Sequence, residues 1–158
     1  MVFVSNTERK DKGSDRKAVS PEENAFVSLI RTSEALSRKV ERVLRSADIS
    51  PTQYNVLRIL RGSPDGLPCR EIGARMITRD PDITRLLDRL EKRELVSRSR
   101  KNEDRRMVLT RITPQGLRLL GELDAPVTEA HRSQLGHLGR ERLSSLIELL
   151  ELAREQAD

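Results

Sequence analysis

The sequence predicts a mainly α-helical fold with a small β-hairpin wing, and three observations carry that expectation. Aromatic residues make up 2% of the 158 residues and Trp is absent, so the core must be assembled from Leu, Ile, Val and Ala, which suits packed helices better than a β-sandwich. From Pro21 onward, apolar residues recur at steps of three and four, the period of helices buried along one side. One stretch breaks the period: Val96-Ser97-Arg98-Ser99-Arg100, a polar tip from Lys101, and an apolar run from Met107 read together as a hairpin.

The elements follow in order. Residues 1–20 lack the long apolar core of a secretory signal and carry Glu8, Arg9, Lys10, Asp11, Lys12, Asp15, Arg16 and Lys17; they read as a flexible charged arm. Phe26, Leu29, Ile30, Leu36, Val40, Val43 and Leu44 then mark one long amphipathic helix ending near Ala47. Ser50-Pro51-Thr52-Gln53 has the spacing of a capping box, with Pro suited to the first turn. Tyr54, Leu57, Ile59 and Leu60 continue that helix until Arg61-Gly62-Ser63-Pro64-Asp65-Gly66 breaks it.

After a short extended Leu67-Pro68, a small helix from Cys69 to Met76 turns its Ile72 and Met76 inward. The next helix has Asp80 as its expected N-cap and Pro81 as its first residue. Ile83, Leu86, Leu87 and Leu90 share its inner face, so Thr84, Arg85, Asp88 and Arg89 lie opposite. Past the hairpin, Thr113-Pro114 caps a helix carrying Leu117, Leu120, Leu123 and Val127, with Pro126 expected to kink or interrupt it. A last helix spans residues 140–155, with Leu143, Leu146, Ile147 and Leu150 on one face.

Charge placement narrows the partner. Residues 79–111 hold eleven Lys or Arg against seven Asp or Glu, +4 of a formal net charge of +5. Charge focused on one helix and one hairpin suits a polyanion, and two short helices followed by a wing form a helix-turn-helix that can enter a major groove while the wing reaches a minor groove. Arg106 and Arg105 at the wing tip are the expected minor-groove contacts; Thr84, Arg85 and Arg89 face the major groove; Arg79, Arg98, Arg100 and Lys101 are expected on phosphates. Asp82 reads as charge at a helix start and Asp88 as a brace for an Arg.

Other classes find little support. No phosphate loop, catalytic triad or nucleophile elbow occurs, so no enzyme is expected. His131 and His137 are six apart and fall on different helix faces, so neither a metal nor a cofactor is expected. The single Cys69 reads as a small core residue, and no apolar run reaches the ~18 residues of a membrane span; a cytoplasmic protein is expected.

Taken together, Ser50-Pro51-Thr52-Gln53-Tyr54-Asn55-Val56-Leu57, Ile83-Thr84-Arg85-Leu86-Leu87-Asp88-Arg89-Leu90-Glu91, and Glu103-Asp104-Arg105-Arg106 running into Leu109-Thr110 resemble the MarR family of winged-helix transcriptional regulators. The resemblance covers roughly residues 21–155. It implies a homodimer on a palindromic double-stranded DNA operator, with Asp104 bracing Arg106 for entry into the minor groove, and release by a small-molecule effector between dimerisation helices and reading lobes. A repressor is expected, because occupying a promoter needs only binding whereas activation needs a further polymerase contact. Residues 21–47 and 113–156 would then form the dimerisation helices, through Phe26, Leu29, Leu143, Leu146, Ile147 and Leu150, and residues 50–112 the winged helix-turn-helix lobe. Glu94 stands where the family often has Gly, so a left-handed cap there is either strained or absent. The alternative reading is an architectural protein that coats DNA without sequence preference.

Overall fold

The computed structural model describes residues 20–78, 81–100 and 107–156. The chain divides into two compact units, Met1–Ser33 and Glu34–Asp158. Within the first, residues 21–33 form the front of helix α1 (Pro21–Ser46), and every one of them is exposed, including Phe26, Leu29 and Ile30. The proposed arm, apart from Ser20, lies outside the described residues.

Within the second unit, the rear of α1 is followed by α2 (Pro51–Arg61), β1 (Leu67–Pro68), α3 (Cys69–Arg75), α4 (Ile83–Lys92), β2 (Val96–Arg100), β3 (Val108–Ile112), α5 (Pro114–Leu135), a single 3₁₀ turn and α6 (Gly139–Glu155). Leu44, Leu57, Leu60, Ile72, Leu90 and Leu120 are fully buried and join α1 to α5 in one core. The fold is therefore mainly helical with a small antiparallel wing, as the residue spacing indicates.

The capping box forms as read. The Gln53 amide donates to Ser50 Oγ at 3.2 Å, and the Ser50 amide donates to Gln53 Oε1 at 2.9 Å. Two free backbone donors are thereby satisfied reciprocally, which fixes the start of α2.

Three local expectations are corrected. The hairpin is part of a three-stranded sheet in the order β1-β3-β2, because Leu67 and Pro68 pair with Thr110 and Leu109. Helix α4 opens at Ile83 with Asp82 as its N-cap, two residues beyond the expected Asp80, which lies outside the described residues. Asp82 takes the role because its carboxylate accepts the Arg85 amide at 3.3 Å and can bind the Arg85 side chain as well. Finally, Pro126 does not interrupt α5, which runs unbroken from Pro114 to Leu135. Pro126 and Glu122, whose carbonyl loses its helical donor, are both exposed, so water can replace that bond.

Candidate nucleic-acid interface

The site is built on α4, whose inner face fills the core with Leu86, Leu87 and Leu90. That packing leaves Thr84, Arg85, Arg89 and Lys92 exposed. At the helix start, Asp82 caps the Arg85 amide and pairs with Arg85 Nε at 3.0 Å, while the Arg85 side chain stays 77% exposed. A fork held at its base and open at its tip loses less side-chain entropy when it meets a partner.

The other end of α4 is anchored from two directions. The Glu94 and Leu95 amides donate to the Glu91 and Leu90 carbonyls at 2.8 and 3.0 Å, a Schellman closure that requires Glu94 to be left-handed, with φ 57. The start of α5 then satisfies three successive carbonyls of the turn. Gln115 Nε2 donates to Arg93 O at 3.2 Å, Thr113 Oγ1 to Glu94 O at 2.6 Å and the Thr113 amide to Leu95 O at 3.1 Å. From the opposite side, the Arg93 guanidinium donates to the Asp48 carbonyl and to Ala47 O at 3.3 Å, with the Asp48 carboxylate 3.8 Å away. Those carbonyls end α1, where a cation is favoured by the unsatisfied acceptors.

Strand β2 carries a third connection. Arg98 donates from its amide and Nε to Glu91 at 3.1 and 2.9 Å, and from Nη2 to Asp88 at 2.6 Å and again to Glu91. Its side chain is only 28% exposed. The charge-assisted bonds hold the Glu91 carboxyl below the usual carboxylate range and push the Arg98 guanidinium further up.

The structure thus sorts the expected residues. Thr84, Arg85 and Arg89 are exposed on α4, and Arg100 is exposed on β2. Arg98 does not join them: its fork is turned inward onto two carboxylates, with Asp88 in the bracing role the sequence suggested. Arg79, Lys101, Asp104, Arg105 and Arg106 lie outside the described residues. Two residues escaped the sequence reading. Arg93 looks like one more helix-end cation, and its grip on α1 depends on a contact 45 positions away. Arg111 on β3 donates to Ser99 Oγ at 2.7 Å across the wing, and the β2–β3 pairing of Ser97 with Arg111 could have placed it there.

A cation-bearing helix set in a helix-turn-helix, with a basic antiparallel wing beside it, defines a winged-helix DNA-binding protein. Comparison with known proteins gives the family. The MarR family model matches residues 49–108. The HTH-type transcriptional regulator FarR of Neisseria gonorrhoeae is 32% identical over 129 residues, covering 81% of this chain and 88% of FarR. A MarR transcription factor from Planctomyces limnophilus is 42% identical, with a TM-score of 0.66 over 84% of this chain and 97% of that one. The transcriptional repressor CouR, solved on a 23-mer DNA duplex, is 25% identical with a TM-score of 0.76 over 89% of this chain and 99% of its own. The chain belongs to the MarR family of DNA-binding transcriptional regulators. No helix among the described residues is long and apolar enough to cross a membrane.

Proposed function

We propose that this chain is a homodimeric repressor that reads a palindromic operator. The observation that carries the reading is the anchored α4, which offers Thr84, Arg85 and Arg89 from a base fixed to α1, β2 and α5. Arg85 can donate its Nη groups to guanine O6 and N7, worth roughly 1–3 kcal/mol of discrimination against other bases. Arg79, Arg100 and Lys101 serve phosphates, and Arg106, with Arg105 adjacent and Asp104 two positions before it in sequence, enters the minor groove. The similar fold of CouR, a repressor solved on a DNA duplex, supports both the partner and the sign.

Dimerisation has its own support. Helix α6 buries no residue although Leu146, Ile147, Leu149 and Leu152 are all on it, Ile147 at 55% exposure. In the first unit, Phe26, Val27, Leu29 and Ile30 are equally uncovered. A second copy supplies the missing apolar cover, and Leu143 and Leu150 join the expected α6 set.

An effector site is supported by a cavity of about 390 Å³ between the rear of α1, the start of α2 and α5, lined by Leu36, Ser37, Val40, Pro51, His131 and Gln134 among others. Its size falls in the range of small-molecule pockets. Gln134 Nε2 donates to Leu36 O at 3.0 Å, while its Oε1 is buried without a partner. A largely apolar ligand bearing one donor would satisfy that acceptor. Such a ligand releases DNA only by favouring a lobe spacing that no longer matches half-sites roughly 34 Å apart.

The reading is tested on a duplex enriched from a random pool. Arg85→Ala should lose discrimination at one base position, and Arg106→Ala should weaken binding without changing the unfolding midpoint. Unaltered titrations of both variants would remove the helix and the wing from the mechanism.

A further inference from the structure

Arg98 was expected on phosphate, yet its donors are committed elsewhere. Asp88 and Glu91 are three apart on α4, about one and two turns beyond Thr84 and Arg85, on the side that meets β2. Because β2 is an edge strand, its outward amides need acceptors, and Glu91 takes that of Arg98 at 3.1 Å while also accepting Nε at 2.9 Å. One residue therefore ties strand and helix through both backbone and side chain, and the same fork reaches Asp88 at 2.6 Å. Only a planar, five-donor fork can serve two carboxylates at once in this way; an ammonium is a point charge.

We infer that Arg98 is a positioning residue for DNA reading, fixing α4 against the wing and halving the charge of Asp88 and Glu91 beside the reading face, rather than a group that touches DNA. This rests on α4 being the reading helix. Two consequences follow. The tie holds the helix and the wing in one register, so major-groove and minor-groove contacts are made together. It also offsets one of the two negative charges of Asp88 and Glu91 on a surface that must approach phosphates, an electrostatic gain without a direct contact.

The test uses the duplex that the wild-type chain enriches from a random pool, a scrambled duplex of equal length, and a salt series. Arg98→Lys keeps the charge and should lower affinity for the enriched duplex about tenfold while leaving the scrambled duplex within about twofold, because coupling rather than charge is lost. Arg98→Gln should weaken the enriched duplex further, and adding Glu91→Gln should recover at least about threefold of that loss, since an unpaired carboxylate is removed. A merely structural role would shift the melting point without moving the ratio between the two duplexes.

Wild-type behaviour of Arg98→Lys on both duplexes would overturn the assignment. So would Arg98→Gln weakening both alike, with a salt slope lower by about 0.9 and no recovery from Glu91→Gln; that is the signature of one lost phosphate contact. Should Arg98→Gln fail to fold, Arg98→Lys and Glu91→Gln alone decide. If the wild-type chain enriches no sequence, the operator reading fails separately, and the salt slope of Arg98→Gln on random duplex decides the role of Arg98: unchanged supports the brace, and a reduction of about 0.9 excludes it.

Discussion

At Glu94 the chain takes a left-handed turn with a side chain that disfavours it, φ 57, so that the Leu95 and Glu94 amides can close α4. Asp48 does the same at the end of α1, with φ 52 and amides of Asp48 and Ile49 donating to Arg45 and Leu44. Asp tolerates that conformation better than Glu does, and Asp48 also pairs with Arg93. Glu94→Gly should therefore raise stability by about 0.5–1 kcal/mol in chemical unfolding, a gain that the more useful Asp48 would not give. Sequence alone flagged Glu94 as strained or uncapped, and only the backbone decides between these.

Glu91 sets a pH dependence at the same scale. Its carboxyl is held below its ordinary value of 4.5, first by the bond from Arg98. The unfolded chain consequently binds the proton more readily. The pairing contributes fully above that ordinary value and is lost as the pH falls through the lower folded one. A stability cycle with Arg98→Gln and Glu91→Gln should show coupling at pH 7 and none once Glu91 is protonated in the folded state. Coupling independent of pH would detach the interaction from charge. The pairing of Arg98 with Asp88 and Glu91 was not legible in the sequence, because these become its partners only through the packing of β2 on α4.

Among elements, α5 starts in close contact with the turn that ends α4 and with the end of β3. A Cβ at Gly116 would lie 2.3 Å from Leu95 O and 2.8 Å from Ile112 Cγ1, so the helix start seats directly on the turn that ends α4. Gly116→Ala must push α5 from that turn and should cost at least about 1–3 kcal/mol, read as a lower unfolding midpoint together with weaker DNA binding. An unchanged midpoint would mean that the junction yields freely. Helical periodicity made the major helices legible, since each carries an apolar face, although α6 buries no residue within this chain. The third strand was not, because Leu67 and Pro68 are too short to show alternation and gain their role only by pairing with β3. Pro126 misled for a related reason: the chain rule for proline is strong, but an exposed position lets solvent serve the carbonyl that the helix leaves unpaired.

For the molecule as a whole, exposed apolar surface and positioned charge describe two halves of one task. On the proposed reading, a second copy covers the exposed Leu146, Ile147, Leu149 and Leu152 of α6, and that copy would set two reading helices one helical turn apart. Leu146→Asp should leave the chain folded but monomeric at micromolar concentration in sedimentation, and should lose most of its operator affinity because each half-site is then bound alone. A dimer that survives this change would exclude α6 from the interface. The family was legible from three short motifs, whereas the anchoring of α4 by Arg93, Thr113 and Gln115 was not, since each of those contacts joins distant parts of the chain.

Sequence-specific reading by a dimer is the central claim, and enrichment of bound duplexes from a random pool tests it most directly. The enriched duplex is then titrated against its scrambled counterpart across a salt series. The account expects a palindrome with half-sites about ten base pairs apart and a preference of ~10³ or more over the scrambled duplex. Enrichment of no sequence, with binding that follows only the salt concentration, would contradict it and make the chain a protein that coats DNA without choosing.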